Sequence, residues 1–244
     1  MLTEKEIERY GRQIMMFGEK GQELLRDATV LIAGAGGLGS PVAIYLAAAG
    51  IGKIRIVDFD SVEESNLNRQ ILHWDHDIGR MKVKSAREKI EQLNPDIRIE
   101  TMTARIEENN IMEIVADADI IVDAMDNYDT RFLLNSAAIS MGIPMVHGAV
   151  HGFHGQITTI VPGDTPCLSC LFPTSPPKEL FPIVGATAGV IGTMQANEVI
   201  KYLTGSGKLL AGQMLIWNGA EGRTEVITIR PNPACTRCSH LQEK

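Results

Sequence analysis

The stretch from Thr29 to Gly39 constrains the fold of this chain more than any other part of its sequence. It opens with Thr29-Val30-Leu31-Ile32-Ala33, a short apolar run that predicts a fully buried strand. The run leads directly into Gly34-Ala35-Gly36-Gly37-Leu38-Gly39, and a helix is predicted from there through Ala49. Between a strand and a helix, a GxGxxG segment gathers backbone N–H groups and the positive helix end around one point, which suits a phosphate. A glycine turn made only for close packing is the alternative.

The rest of the first half alternates strands and helices. Apolar runs predict strands at 53–57, 97–101, 119–122 and 144–146, and helical periodicity predicts helices at 4–17, 81–93, 110–116 and 129–141. The helix at 81–93 stops at Asn94-Pro95, because proline lacks an N–H donor and cannot continue a helix. This alternation predicts an α/β chain with a Rossmann-like, doubly wound and mostly parallel sheet.

The pattern changes after His147. Strands predicted at 156–161, 213–217 and 224–229 indicate a C-terminal antiparallel extension, with one long helix at 186–203. The proline-rich segment 172–182 has no periodicity and is predicted to be a loop. We therefore predict a single domain over residues 1–244, with a nucleotide-binding half at about 1–147 and an antiparallel half at about 148–244.

All four cysteines lie in two CxxC pairs, Cys167/Cys170 and Cys235/Cys238, with 64 residues between the pairs. A tetrahedral Zn²⁺ takes four thiolates, and one CxxC turn offers two of them. A redox dithiol or disulfides are the alternative, but a redox CxxC normally occurs once, near a βαβ unit. Here a proline precedes each pair by one or two residues. The pattern favours one structural Cys₄ zinc site that holds the two ends of the second half together.

Composition and charge limit the cellular locations and partners that we expect for this chain. The polar start carries no secretory signal, and the longest apolar stretch, around Pro41 to Ile51, is too short to span a bilayer. We therefore expect a cytoplasmic protein without a membrane partner, in which thiols stay reduced. The net charge is −7 and the isoelectric point is near 5.4, which argues against a nucleic-acid partner.

Charged residues follow the predicted strands. Asp58 ends the second strand, about 20 residues beyond the glycines, where an acid binds ribose hydroxyls, and Asp60 is the nearby alternative. Arg69, Lys82 and Asp126 follow, and two cations with one acid suit phosphates and Mg²⁺. Each also has a simpler interpretation: the cations as solvated surface charges, and Asp126-Asn127 as a helix N-cap.

Taken together, these motifs resemble the MoeB/ThiF/HesA family, relatives of the ubiquitin-activating enzymes. The matching segments are GAGGLG, DFDSVEESNLNRQ, GRMK, MDNYDTR, the paired CxxC and an N-terminal RYGRQ. They occur in the family's order over nearly the whole chain. The resemblance implies ATP-dependent adenylation of the C-terminal glycine of a ubiquitin-like sulfur-carrier protein ending in Gly-Gly, with release of pyrophosphate.

The resemblance also implies roles for single residues. It assigns Asp58 to the ribose, Arg69 and Lys82 to the phosphates, and Asp126 to Mg²⁺. Arg12 resembles an arginine that reaches the partner's ATP across a homodimer. The further residues assigned to the nucleotide site are Gly34, Gly36, Gly37, Gly39, Asp60 and Asn66. Cys167, Cys170, Cys235 and Cys238 match the family's zinc ligands.

Some members of that family capture the activated carboxyl on a cysteine in the loop after the first zinc pair. Here the corresponding segment, LFPTSPPKELFP, contains no cysteine. We therefore predict an enzyme that stops at the acyl-adenylate, as the MoeB type does, with sulfur supplied by a separate protein. The carrier, its pathway (molybdopterin, thiamin or another thiolation) and the ordering of the loop at 171–183 are left open.

Alternatives remain. A related dehydratase that adenylates a carboxyl on tRNA would share the ATP site but needs a basic surface. A non-catalytic zinc and nucleotide scaffold, or an NAD-dependent dehydrogenase, would leave Arg69, Lys82 and Asp126 without a function. The histidines at 147, 151 and 154 are interpreted as structural, since adenylation needs no imidazole. Small residues at 185–189 suit either an approaching peptide or tight helix packing.

Overall fold

The computed structural model describes residues 1–175 and 181–241, and in it a single sheet runs through both halves of the chain. The strand order is β3-β2-β1-β4-β5-β6-β7-β8. The strands are β1 (Thr29–Ala33), β2 (Lys53–Val57), β3 (Arg98–Met102), β4 (Ile120–Asp123), β5 (Met145–His151), β6 (His154–Ile160), β7 (Gln213–Asn218) and β8 (Arg223–Thr228).

Helices cover both faces of the parallel part of the sheet. They are α1 (Glu4–Asp27), α2 (Gly39–Ala49), α3 (Lys82–Leu93), α4 (Ile111–Val115), α5 (Tyr128–Met141), α6 (Leu168–Leu171) and α7 (Gly185–Thr204), with 3₁₀ turns at Glu64–Asn66, Asp75–Asp77 and Ser239–Leu241. No helix within the described residues is both long and apolar enough to cross a membrane.

The sheet is parallel from β3 to β5 and antiparallel from β5 to β8. The chain moves outward from β1 through β2 to β3 and then returns to place β4 on the other side of β1. In such open sheets the carboxyl ends of the two strands at this reversal border a crevice where ligands bind. The predicted α/β, doubly wound, mostly parallel sheet with an antiparallel extension is confirmed.

The core lies on both sides of the sheet. Along β1, Val30 and Ile32 join an apolar cluster with α2, α3 and α7, whereas Leu31 and Ala33 join a second cluster with α4 and α5. Successive side chains of a strand point to opposite faces. Because both faces are covered, the strand reads as a continuous apolar run.

The helix predicted at 4–17 ends where helical geometry breaks, because Gly18 has non-helical backbone angles with a φ of +73°. A second helical segment of α1, which was not predicted, continues beyond this kink to Asp27. One predicted boundary was wrong. The strand predicted at 144–146 runs to His151 and forms a hairpin with β6, which starts at His154. The extension was not predicted because glycine is uncommon inside strands. At position 148 glycine is required for packing against α7, since a Cβ there would lie 2.5 Å from the Gln195 side chain. Of the predicted loop at 172–182, residues 176–180 lie outside the described part.

Candidate functional site

The glycine loop joins β1 to α2 at the crevice. Gly34 has a φ of +101°, and a Cβ built on it would lie 2.8 Å from the Ala124 carbonyl oxygen. A Cβ on Gly39 would lie 1.9 Å from the Gly34 carbonyl oxygen. Packing therefore requires these two glycines. At Gly36 the nearest atom to a built Cβ is 3.7 Å away, so packing does not require glycine there. A ligand that comes close to the backbone would require glycine at this position.

The loop also offers hydrogen-bond donors. Within the described residues, no acceptor lies in range of the N–H groups of Gly36 and Gly37, both of which are partly exposed. The loop runs into the first turn of α2, which carries no acidic residue. Unpaired N–H groups at the positive end of a helix form a site for an anion such as phosphate.

Asp58 lies beside the loop. Its Oδ2 accepts the N–H of Ala35 at 2.8 Å, and its Oδ1 accepts the N–H of Asp60 at 2.9 Å. An ionised carboxylate has about four lone-pair sites, so both oxygens retain acceptor capacity. Asp58 therefore holds the loop and can still accept hydroxyl donors from a ribose.

The two predicted phosphate cations lie at the same edge. A Cβ on Gly37 would be 3.5 Å from Cγ of Arg69, so the arginine stem crosses the glycine loop. Its guanidinium donates to the Ser65 carbonyl at 2.8 Å and meets no carboxylate in residues 1–175 or 181–241. Lys82 is buried, and its Nζ pairs with Asp60 at 3.0 Å. A solvated surface charge is therefore the wrong interpretation for Lys82.

Asp126 lies one residue beyond Met125, whose Sδ would be 3.4 Å from a Cβ on Gly34. The N-cap of α5 is Asn127, which accepts the N–H of Thr130 at 2.9 Å. The carboxylate of Asp126 is exposed, and among the described residues its one hydrogen-bond partner is the Asn127 amide, at 3.3 Å. It is therefore not the cap. One carboxylate at a phosphate site fits Mg²⁺, which takes its other ligands from phosphates and water.

The four cysteines meet although the two pairs are far apart in sequence. Their Sγ atoms all lie within 4.8 Å of one another, and none is in a disulfide. Three of the Sγ–Sγ distances are 3.4, 3.7 and 3.9 Å. Four sulfurs at about 2.3 Å from a tetrahedral Zn²⁺ would be about 3.8 Å apart, so the group could hold a metal ion. His240 is not part of it.

The thiols of this cluster differ in acidity. Burial disfavours the thiolate of Cys235, but the backbone N–H groups of Arg237 and Cys238 lower its pKa to about 7. Burial and hydrogen bonds with Cys170 and Cys167 raise the pKa of Cys238. A metal ion that binds here would displace the remaining protons, as thiolate sites require.

Comparison with known proteins gives the family. The ThiF family model matches residues 10–237. This chain belongs to the ThiF family. The SAMP-activating enzyme E1 of Haloferax volcanii is 42% identical over 245 residues, which cover 97% of this chain and 90% of that protein. The sulfur carrier protein adenylyltransferase of Thermus thermophilus is 41% identical over 249 residues, covering 97% and 92%.

A longer relative and two solved structures also match this ThiF-family chain. The adenylyltransferase and sulfurtransferase MOCS3 of Anopheles gambiae is 42% identical, but the chain spans only 56% of it. E. coli MccB, solved with ATP, is 24% identical with a TM-score of 0.85 over 94% of this chain and 74% of its own. PaaA is 27% identical with a TM-score of 0.82, over 93% and 75%. These two likenesses show the fold.

Two other predicted residues of the ThiF-family chain make no hydrogen bond with the glycine loop in the described part of the chain. Asn66 is buried, and its Oδ1 accepts the N–H of Glu63 at 3.2 Å, so it shapes the turn that carries Arg69. Arg12 is exposed on α1, and in the part of the chain that the structure describes it has no ion pair or hydrogen bond. Its neighbour Gln13 donates to the carbonyl of Ala49 at the C-terminal end of α2, whereas the glycine loop precedes the N-terminal end of that helix.

A buried charge cluster beneath the Asp126 loop was not predicted. Asp123 is fully buried, and its Oδ2 lies 2.7 Å from Nδ1 of His147 and 3.7 Å from Nε of Arg131. Arg131 donates to the carbonyls of Met125 and Gly148. Burial lowers the pKa of His147, so the imidazole is neutral near pH 7. The only sequence signal was polar residues at the ends of apolar strands.

The small residues at the start of α7 favour tight packing. A Cβ on Gly185 would lie 2.2 Å from the Asn68 carbonyl oxygen, and one on Gly192 would lie 2.5 Å from the Leu38 carbonyl oxygen. Gly189, in contrast, has no described atom within 4 Å of a built Cβ. The helix start thus packs directly against the turn that precedes Arg69.

Proposed function

We propose that this chain is an adenylyltransferase that activates the C-terminal glycine of a ubiquitin-like sulfur-carrier protein ending in Gly-Gly. ATP and the carboxylate would give an acyl-adenylate and pyrophosphate. One observation carries the proposal: at the edge where β1, β2 and β4 end, a ThiF-family chain gathers unpaired loop N–H groups, Arg69, Lys82 and Asp126. The names of the Haloferax and Thermus relatives support the choice of substrate class.

The proposed reaction does not depend on general acid–base catalysis. The carboxylate that attacks the α-phosphorus is already a nucleophile at neutral pH, so no general base is required. Catalysis must instead hold two anions in line and stabilise the charge that develops. Arg69 suits this task because its planar guanidinium group does not deprotonate. Mg²⁺, when bound at Asp126, would neutralise phosphate charge.

Asp60 would have a second role. Its carboxylate pairs with Nζ of Lys82 at 3.0 Å, which holds this buried side chain in place. Phosphate would compete for the same ammonium. Lys82 is thus held ready for the ligand by a partner that is itself exposed.

The reaction should stop at the acyl-adenylate. The four cysteines cluster within 4.8 Å, and the segment 171–182 contains no fifth. If Zn²⁺ occupies the cluster, no thiolate remains to accept the acyl group. Sulfur would then come from a separate sulfurtransferase, and the reduced thiols fit a cytoplasmic setting.

An ATP–pyrophosphate exchange assay tests the function directly. Carrier proteins ending in Gly-Gly should stimulate exchange, and carriers that lack the last glycine should not. Transfer RNA serves as the second substrate in a parallel assay. Exchange with tRNA and none with any carrier would replace this function by the tRNA-modifying one. Nucleotide binding without exchange would favour the non-catalytic scaffold.

Arg12 is proposed to act in a homodimer, at the partner's ATP. The exposed position of this arginine on α1, without an ion pair in the described residues, supports that role. Mixing inactive Arg12→Ala with inactive Asp126→Ala should restore activity, because one site of each heterodimer would have both residues. Persistent inactivity after confirmed subunit exchange would show that Arg12 serves its own chain.

A further inference from the structure

His73 connects the glycine loop to α3. Its ring is buried, with Nε2 2.9 Å from the Ala35 carbonyl oxygen and Nδ1 2.9 Å from Oγ of Ser85. A carbonyl oxygen only accepts hydrogen bonds, so Nε2 must carry the proton. In the neutral ring Nδ1 then accepts the hydroxyl proton of Ser85.

The ring is fixed in this orientation by its neighbours. Ser85 Oγ also accepts from Nζ of Lys89 at 3.0 Å, and Lys89 pairs with the buried Asp77. Burial, together with the charges of Lys82 and Lys89, lowers the pKa of His73, while the Ala35 carbonyl and Asp77 oppose this shift. This shift favours the neutral imidazole, in which Nδ1 is an acceptor.

Ala35 is held from both sides. Asp58 accepts its N–H at 2.8 Å, and His73 donates to its carbonyl oxygen. The described residues contain no cis peptide bond, so the Ala35 carbonyl and the Gly36 N–H point in opposite directions in one rigid plane. The bond that draws the carbonyl toward His73 thus directs the Gly36 N–H away from it.

We propose that His73 is a positioning residue for the phosphate loop. Its Nε2–H···O=C bond to Ala35 sets the direction in which the Gly36 N–H meets a nucleotide phosphate. Gly36 is partly exposed, and its N–H has no acceptor in the described chain, which leaves this donor available for a ligand. The inference rests on the proposed function, since it requires that the loop bind ATP.

Two substitutions separate the two ring nitrogens. In His73→Gln the side-chain amide N can occupy the place of Nε2 and donate to Ala35. In His73→Asn the side-chain oxygen can replace only Nδ1 and accept from Ser85. Affinity for the non-hydrolysable analogue α,β-methylene-ATP is measured by calorimetry for both. Loss of one hydrogen bond to a charged ligand should weaken binding about tenfold in His73→Asn, and by about threefold or less in His73→Gln.

Kinetics and stability provide the controls. In exchange assays, His73→Asn should raise the KM for ATP and leave the KM for the carrier unchanged. Ile90→Val, a fully buried change on α3 away from the loop, reports on destabilisation alone and should leave the affinity for nucleotide unchanged.

Equal nucleotide affinity of the His73→Asn and His73→Gln variants would overturn the inference. A loss of nucleotide affinity in Ile90→Val as large as that in His73→Asn would also overturn it. A wild-type protein that binds no nucleotide overturns this inference and the proposed function together. A wild-type protein that binds nucleotide but catalyses no exchange overturns only the proposed function, because the affinity comparison still decides the role of His73.

Discussion

The two ends of the sheet are stabilised in different ways. In the first half, β1 and β4 are buried at every position and lie between two apolar clusters. At the other end, β8 is exposed at all six positions and, within the described residues, pairs with β7 alone. The segment after β8 ends in the cysteine cluster, where Ile139 and Leu241 are the only other apolar residues that pack against the cysteines in the described chain.

The two ends of the sheet therefore depend on different groups for their structure. The parallel half has a large apolar core, so it can hold hydrogen-bonded polar groups inside and present loops of fixed geometry at its edge. The C-terminal segment buries little apolar surface, and four sulfurs take the place of a core. We therefore expect activity to be sensitive to polar substitutions in the first half, and stability to be sensitive to metal in the second.

Removal of metal from the cysteine cluster should have the largest effect. A ligand present at about a thousand times its Kd stabilises the folded state by about 4 kcal/mol. For a chain of this size that corresponds to a fall of about 8–16 °C in the melting temperature after chelation. Calorimetry of reduced protein, before chelation, after it and after addition of Zn²⁺, measures the change.

Two variants sharpen this prediction. Cys235→Ser should melt at a low temperature that chelation no longer changes, while Thr236→Ala, an exposed change in the same segment, should respond like the wild type. Below the melting temperature, the chelated protein should still bind ATP. Freshly purified protein without metal would contradict the Cys₄ zinc assignment.

Substitution of the residues proposed to act on the phosphates and Mg²⁺ should affect activity and leave stability unchanged. Loss of one preorganised electrostatic donor costs about 10²–10³ in rate, and we expect this loss in ATP–pyrophosphate exchange for Arg69→Ala and for Asp126→Ala. Arg69 is half-buried and has no carboxylate partner in the described chain, and Asp126 is exposed. Neither substitution should therefore change the melting temperature much.

The matched control is Arg87→Ala on α3. Arg87 is an exposed arginine that pairs with Glu91, and its removal should change neither rate nor stability. If Arg69→Ala lowered stability as much as activity, Arg69 would belong to the structural polar groups, and the contrast between the two halves would weaken.

Local patterns in the sequence were sufficient for most of the fold. Buried parallel strands are continuous apolar runs, and GxGxxG and CxxC are short motifs whose geometry follows from the chain itself. The polar contacts that shape the site were not predictable in this way. The bond from His73 to Ala35 joins residues 38 positions apart, and that from Gln195 to Asp123 joins residues 72 apart. Such pairings depend on how helices pack on the sheet, which residue spacing does not encode.

The buried Asp77 should make the first half sensitive to acid. Burial alone would raise its pKa, but Lys89 and the N–H of Trp74 lower it from 3.8 to about 2. The stabilisation from the ionised carboxylate is thus complete above pH 4 and is lost as the pH falls from about 4 to 2. Asp77→Asn should be about 2 kcal/mol less stable at neutral pH, because hydrogen bonds to a charged group are lost.

The measurement is the free energy of unfolding of both proteins from pH 7 to pH 2. Between pH 4 and pH 2 the wild type should lose the advantage that it holds over Asp77→Asn. Both proteins contain the buried His147, and Asp77 is not among the groups that shift its pKa, so its contribution cancels in the difference. A difference that stays constant from pH 7 to pH 2 would mean that folding does not lower the pKa of Asp77.

The smallest effects should come from one substitution made at both ends of the sheet. Val122 on β4 is fully buried, whereas Val226 on β8 is 49% exposed. Valine and threonine have nearly the same shape, so the substitution changes mainly the polarity. Val122→Thr buries a hydroxyl and should cost about 1–2 kcal/mol. Val226→Thr should stay within about 0.5 kcal/mol of the wild type in denaturant unfolding. Equal losses at both positions would mean that β8 is covered in solution, by a second copy or a partner, and that it is not the exposed edge of the sheet.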